Sequence, residues 1–194
     1  TMNKIRPTVL HGAALTLASC LAMSAGAGPL TPPAGPVTST YKTLSEVEPA
    51  TPIQSLTGDL GAKYVVRAPG SYYLTGNITF AEAGKQVIRV DASGVTIDLR
   101  GFTISGGGLS TAGIFGASSP TDISIRNGSI RDINGGAIFL PLVSRGVIES
   151  VTMSASGVGI LTGDNYVVRD CTVTGSGGDG ISVGNRSVVT ACTA

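Results

Sequence analysis

The polar and apolar positions of this chain alternate in short runs. A fixed phrase returns through the second half: Gly113-Ile114-Phe115, Ala137-Ile138-Phe139, Gly159-Ile160-Leu161 and Gly180-Ile181-Ser182. The isoleucines are 24, 22 and 21 residues apart. A second phrase keeps step: Phe102-Thr103-Ile104, Gly128-Ser129-Ile130, Val151-Thr152-Met153, Cys171-Thr172-Val173 and Cys192-Thr193-Ala194, at spacings of 26, 23, 20 and 21. Such a period is too short for a pair of helices. It suits one coil of a β-solenoid, where each unit buries its apolar face only against its neighbours.

Alternation assigns faces. If Ile114, Ile138, Ile160 and Ile181 point inward, then Phe115, Phe139, Leu161 and Ser182 point outward. A bend joins two strands of each coil at Gly101, Asn127, Ser150, Asp170 and Ala191. Gly, Asn and Asp tolerate the left-handed backbone of a sharp bend; Ser150 and Ala191 do not fit that reason. Five coils are predicted from Val87 to the end. Residues 56–86 are predicted as an N-terminal cap of short strands, with Lys63–Arg67 one of them, and no C-terminal cap is visible. The chain stops inside a third strand, so it is expected to be a fragment of a longer protein or to meet a partner there.

The flanking segment alters the composition. Residues 1–27 read as a signal peptide: Lys4 and Arg6, then an apolar stretch from Val9 to Met23, then Ala25-Gly26-Ala27 as a cleavage site. Leu17-Ala18-Ser19-Cys20 also fits a lipobox, which would tie the protein to a membrane at Cys20. Residues 28–55 are a Pro/Thr-rich leader. With residues 1–27 removed, 13 basic residues fall to 11 against 12 acidic, and the only histidine, His11, is lost. That excludes a Ser-His-Asp triad and a histidine metal site, and a basic excess for nucleic acid is lacking. Charged residues are 13% and Gly numbers 28, which disfavours helices. Cys171 and Cys192 take equivalent places in consecutive coils and read as stacked core residues.

The stretch Ser93-Gly94-Val95-Thr96-Ile97-Asp98-Leu99-Arg100-Gly101-Phe102-Thr103-Ile104 resembles the opening coil of secreted bacterial right-handed parallel β-helix proteins of the pectin-lyase-like superfamily. Gly70–Ile78 resembles the cap before it, and Tyr41–Pro49 their leader. The resemblance implies an all-β fold, export to the periplasm, cell surface or medium, and a groove along the outer face of the first strands. It leaves the activity open, because that fold carries lyases, hydrolases, epimerases and surface proteins.

Candidate sites follow. The outward column Phe115, Phe139, Leu161 is apolar where a lyase or glycosidase needs carboxylates or cations. Its occupant is the chain's own leader, a stacked sugar or a protein partner. Arg100, Arg126, Glu149, Arg169 and Thr190 form a second column before the bend, either a solvated charge ladder or a basic stripe for an anionic glycan. Asp179, in Gly-Gly-Asp-Gly, is either a catalytic acid or an ordinary turn residue. Asp132, Asp164 and Asp179 could supply oxygen ligands to Ca²⁺, though no spacing specifies a metal site. The leading expectation is a non-enzymatic exported protein that binds glycan or partners; the alternative is a polysaccharide lyase or glycoside hydrolase.

Overall fold

A computed structural model describes residues 49–194. The proposed signal peptide, Cys20 and leader residues 28–48 lie outside the described residues.

The chain winds as a parallel β-solenoid. Its strands are β1 (Ala50–Pro52), β2 (Ala62–Val66), β3 (Gly70–Tyr73), β4 (Ile78–Thr79), β5 (Gln86–Val90), β6 (Val95–Asp98), β7 (Thr103–Ser105) and β8 (Ala112–Gly116). Two long strands follow, β9 (Thr121–Leu140) and β10 (Ser144–Thr162), and then β11 (Tyr166–Arg169), β12 (Thr172–Thr174), β13 (Ile181–Ser182) and β14 (Val188–Thr190). β9 and β10 are long because their backbones run through the bends and serve successive faces.

Three faces result. The first stacks β2, β5, β8, residues 136–140, residues 158–162 and β13. The second stacks β1, β3, β6, residues 121–126, residues 144–149, β11 and β14. The third stacks β4, β7, residues 128–131, residues 151–154, β12 and a bridge at Thr193.

Each face sends one column inward. Ile88, Ile114, Ile138 and Ile160 are fully buried on the first, Ile97, Ile125, Ile148 and Val168 on the second, and Ile104, Ile130 and Met153 on the third. Neighbouring coils lie ~4.8 Å apart, so each column is a continuous stack of apolar contacts, β-branched except at Met153. The core is a rod, and each coil depends mainly on the next.

Six coils are present among the described residues, one more than the sequence predicts. The extra coil is residues 62–79, which reads as a cap because it is broken by Ala68-Pro69-Gly70 and Gly76-Asn77 and lacks the Gly-Ile phrase. Its three strands nevertheless pair in register with β5, β6 and β7. Below it, β1 adds a strand beside β3, and Ile53, in a single 3-10 turn (Ile53–Ser55), is fully buried against the core.

All five predicted bends are left-handed, Ser150 (φ 54°) and Ala191 (φ 51°) included. Geometry imposed by the coils overrides the residue preference there. One bend differs in length. Arg100 and Gly101 are both left-handed (φ 49° and 79°), and Asp98, not Arg100, pairs with Arg126. The second coil therefore turns with two more residues than the third. Cys171 is buried, Cys192 is half-buried, and both are free thiols.

Candidate functional site

The outer side of the first face carries the column Arg89, Phe115, Phe139, Leu161, Ser182 in register. The predicted outward residues are thus in line. Phe115 and Phe139 stack with ring centroids 6.2 Å apart and planes 15° from parallel. Both rings and Leu161 are half-buried.

Space for the rings comes from what stands three residues earlier. Ala112 and Gly136 are paired across the coils, and a Cβ on Gly136 would fall 2.6 Å from Phe139 Cδ2 and 2.9 Å from its Cβ. Gly136 therefore faces outward, against simple alternation, and leaves the space the ring occupies. A groove of about 410 Å³ opens there, lined by Phe115, Phe139, Ala112, Gly136, Val158 and the polar side chains of Gln86, Thr111 and Asn134. No carboxylate or cation lines it. Thr111 Oγ1 donates to the Lys85 carbonyl at 3.1 Å, whereas the Gln86 and Asn134 amides have no hydrogen-bond partner among the described residues. Sequence alternation alone does not reveal the groove, because its floor is made by residues that break the alternation.

The foot of the column is charged but closed. Arg89 Nε donates to Asp91 Oδ1 at 2.9 Å, and its Nη1 donates to Asp59 Oδ1 at 3.1 Å. Arg67 lies 3.7 Å from Asp59. The bonds from Arg89 and the Gly61 amide hold the Asp59 carboxyl below the usual carboxylate range. Asp91 and then Asp59 raise the Arg89 guanidinium above its ordinary value.

Residues 49–55 do not cross the aromatic column: β1 extends the second face instead. The expected cover by this part of the leader is therefore corrected. Residues 35–48 lie outside the described residues.

The second predicted column needs a register correction. Its members are Tyr73, Asp98, Arg126, Glu149, Arg169 and Thr190. Charges alternate along it. Arg126 Nε donates to Asp98 Oδ2 at 3.0 Å, and Arg169 Nε donates to Glu149 Oε2 at 2.8 Å. This is the charge ladder rather than a uniform basic stripe. Arg100 stands off the column, its guanidinium carbon 3.7 Å from the Tyr73 ring centroid.

The candidate acids are dispersed. Asp179 is exposed in the turn between β12 and β13, and its carbonyl accepts from the Gly159 amide. Asp164 lies at a different corner, where Oδ1 accepts from the Asn185 amide at 2.7 Å. Asp132 lies two coils before Asp179 and pairs with Arg131 at 3.1 Å. Among the described residues, no three acidic, cysteine or histidine side chains gather as a metal-binding group.

Comparison with known proteins gives one match. Residues 67–194 match the family model described as a right handed beta helix region. No curated protein and no solved structure matches the chain.

Proposed function

We propose, for a chain that belongs to the right-handed β-helix family, that the Phe115–Phe139 groove is a saccharide-binding face of an exported, non-enzymatic protein. The observation that carries this reading is the stacked pair of half-buried rings over an uncharged groove. A pyranose presents an apolar C–H face with hydroxyls at its rim. The two near-parallel rings offer apolar surface to that face, and the Gln86 and Asn134 amides at the groove edge offer donors and acceptors to the hydroxyls. The uncharged lining favours binding over glycosidic acid–base chemistry, which needs a positioned carboxyl pair. The basic, apolar and small-residue order of residues 4–27 supports export.

The test is affinity electrophoresis of the full chain through gels holding dextran, laminarin, soluble starch or galactomannan. Retardation by at least one of these, lost in the F115A/F139A variant, is the expected result. Equal mobility in every gel, or retardation unchanged by the double substitution, would overturn the reading.

A further inference from the structure

The second face holds a concave site unrelated to the aromatic groove. It is a pocket of about 630 Å³, walled by Ser71, Tyr73, Thr96, Asp98, Arg100 and Arg126. Two guanidinium groups meet there with most of their donors unspent. Arg126 commits only Nε, to Asp98, and remains 46% exposed. Arg100 holds its guanidinium carbon 3.7 Å from the centroid of the Tyr73 ring and has no carboxylate partner among the described residues. Stacking fixes the plane of a guanidinium while leaving its N–H edge outward, which suits the bidentate capture of a planar carboxylate.

Asp98 organises the site without cancelling it. Its Oδ1 accepts from the Arg100 backbone amide at 2.9 Å, and its Oδ2 takes the Arg126 bond. Asn127 Nδ2 approaches Oδ1 and Oδ2 at 3.3 and 3.4 Å. One carboxylate against two guanidiniums leaves the pocket with one excess positive charge. Ser71 and Thr96 are paired across β3 and β6, and neither hydroxyl donates a hydrogen bond among the described residues. The longer bend at Leu99–Gly101 is what brings Arg100 here, since a one-residue bend, as at Asn127, would remove it.

We infer that this pocket binds the carboxylate of an acidic saccharide, with Arg100 and Arg126 holding the carboxylate and Ser71 and Thr96 meeting sugar hydroxyls. The inference stands on a different face from the aromatic groove and does not depend on it.

The probe is carboxymethyl dextran, compared with unmodified dextran by calorimetry on the full chain. The same comparison in the F115A/F139A background keeps this test valid if the aromatic groove binds nothing. Carboxymethyl groups are expected to strengthen binding in both backgrounds. R100Q and R126Q should each weaken that increment about tenfold, while R145Q, which removes an exposed cation paired to Asp122, should leave it within about twofold. R100G separates binding from folding: the left-handed backbone at φ 49° suits glycine, so the melting temperature should hold while the increment is lost. An increment unaffected by R100Q and R126Q would overturn the inference. So would an equal loss in R145Q, which would mark bulk charge, or binding of polyglutamate but not of carboxymethyl dextran, which would mark a peptide site.

Discussion

Tyr166 sets up a stability experiment whose sign is not obvious from its contacts. Its side chain is fully buried and faces the interior beside Gly146, where a Cβ would fall 2.7 Å from the Tyr166 ring. The ring fills the space that Gly146 leaves, but the hydroxyl has no hydrogen-bond partner among the described residues. A buried hydroxyl without a partner costs about 1–3 kcal/mol relative to water. Tyr166→Phe keeps the ring and removes that cost, so the variant should be more stable by about 1–3 kcal/mol, or roughly 2–12 °C in melting temperature for a domain of this size. A pH arm checks the cause. Burial first, and then the charge of Asp122, raise the Tyr166 phenol above its ordinary value. The unfolded chain therefore loses this proton near pH 10 while the folded chain keeps it. Stability from this group is complete below about pH 10 and falls as pH rises toward the folded value. At pH 11 the advantage of Phe over Tyr should widen by about 1.4 kcal/mol. Far-ultraviolet circular dichroism melts at pH 7, 10 and 11 would measure both effects. A lower melting temperature for Tyr166→Phe at pH 7, or a gap that does not change with pH, would refute the reasoning.

Other expectations are simpler. Ser150→Gly should stabilise the fold by about 0.5–1 kcal/mol in denaturant titration, because relief of a left-handed serine exceeds the entropy glycine loses on folding. Cys171 should react with a thiol reagent only on unfolding, since it is buried and its thiol is pushed up to about 11 mainly by that burial; rapid modification of Cys171 in the native protein would contradict its place in the core. Gly136→Ala should displace Phe139, lowering glycan retardation and also lowering the melting temperature by about 2–12 °C, because the added methyl falls 2.9 Å from the Phe139 Cβ, which no rotation of the ring moves.

Much of this architecture is legible because a solenoid repeats its reasons. The Ile column, the outward phenylalanines and the bends all recur at one period, and each is where that period places it. What escaped the sequence is where the repeat is broken. Residues 62–79 lack the Gly-Ile phrase that marks the later coils, so only pairing with the next coil identifies them. Arg100 falls out of its column because two additional bend residues leave no mark in an isolated sequence. Gly136 faces outward against alternation, so the groove floor is invisible until the backbone is seen. Asp98 reads as a strand-end residue, yet it anchors Arg126 and the Arg100 amide.

The central claim is that two stacked rings on the first face hold a saccharide. It is tested most directly by the mobility of the wild-type chain and of the F115A/F139A variant in neutral-polysaccharide gels, with matched melting curves to confirm folding. Retardation of the wild type that disappears in a folded double variant is the expected result. A folded double variant retarded as strongly as the wild type would contradict the claim.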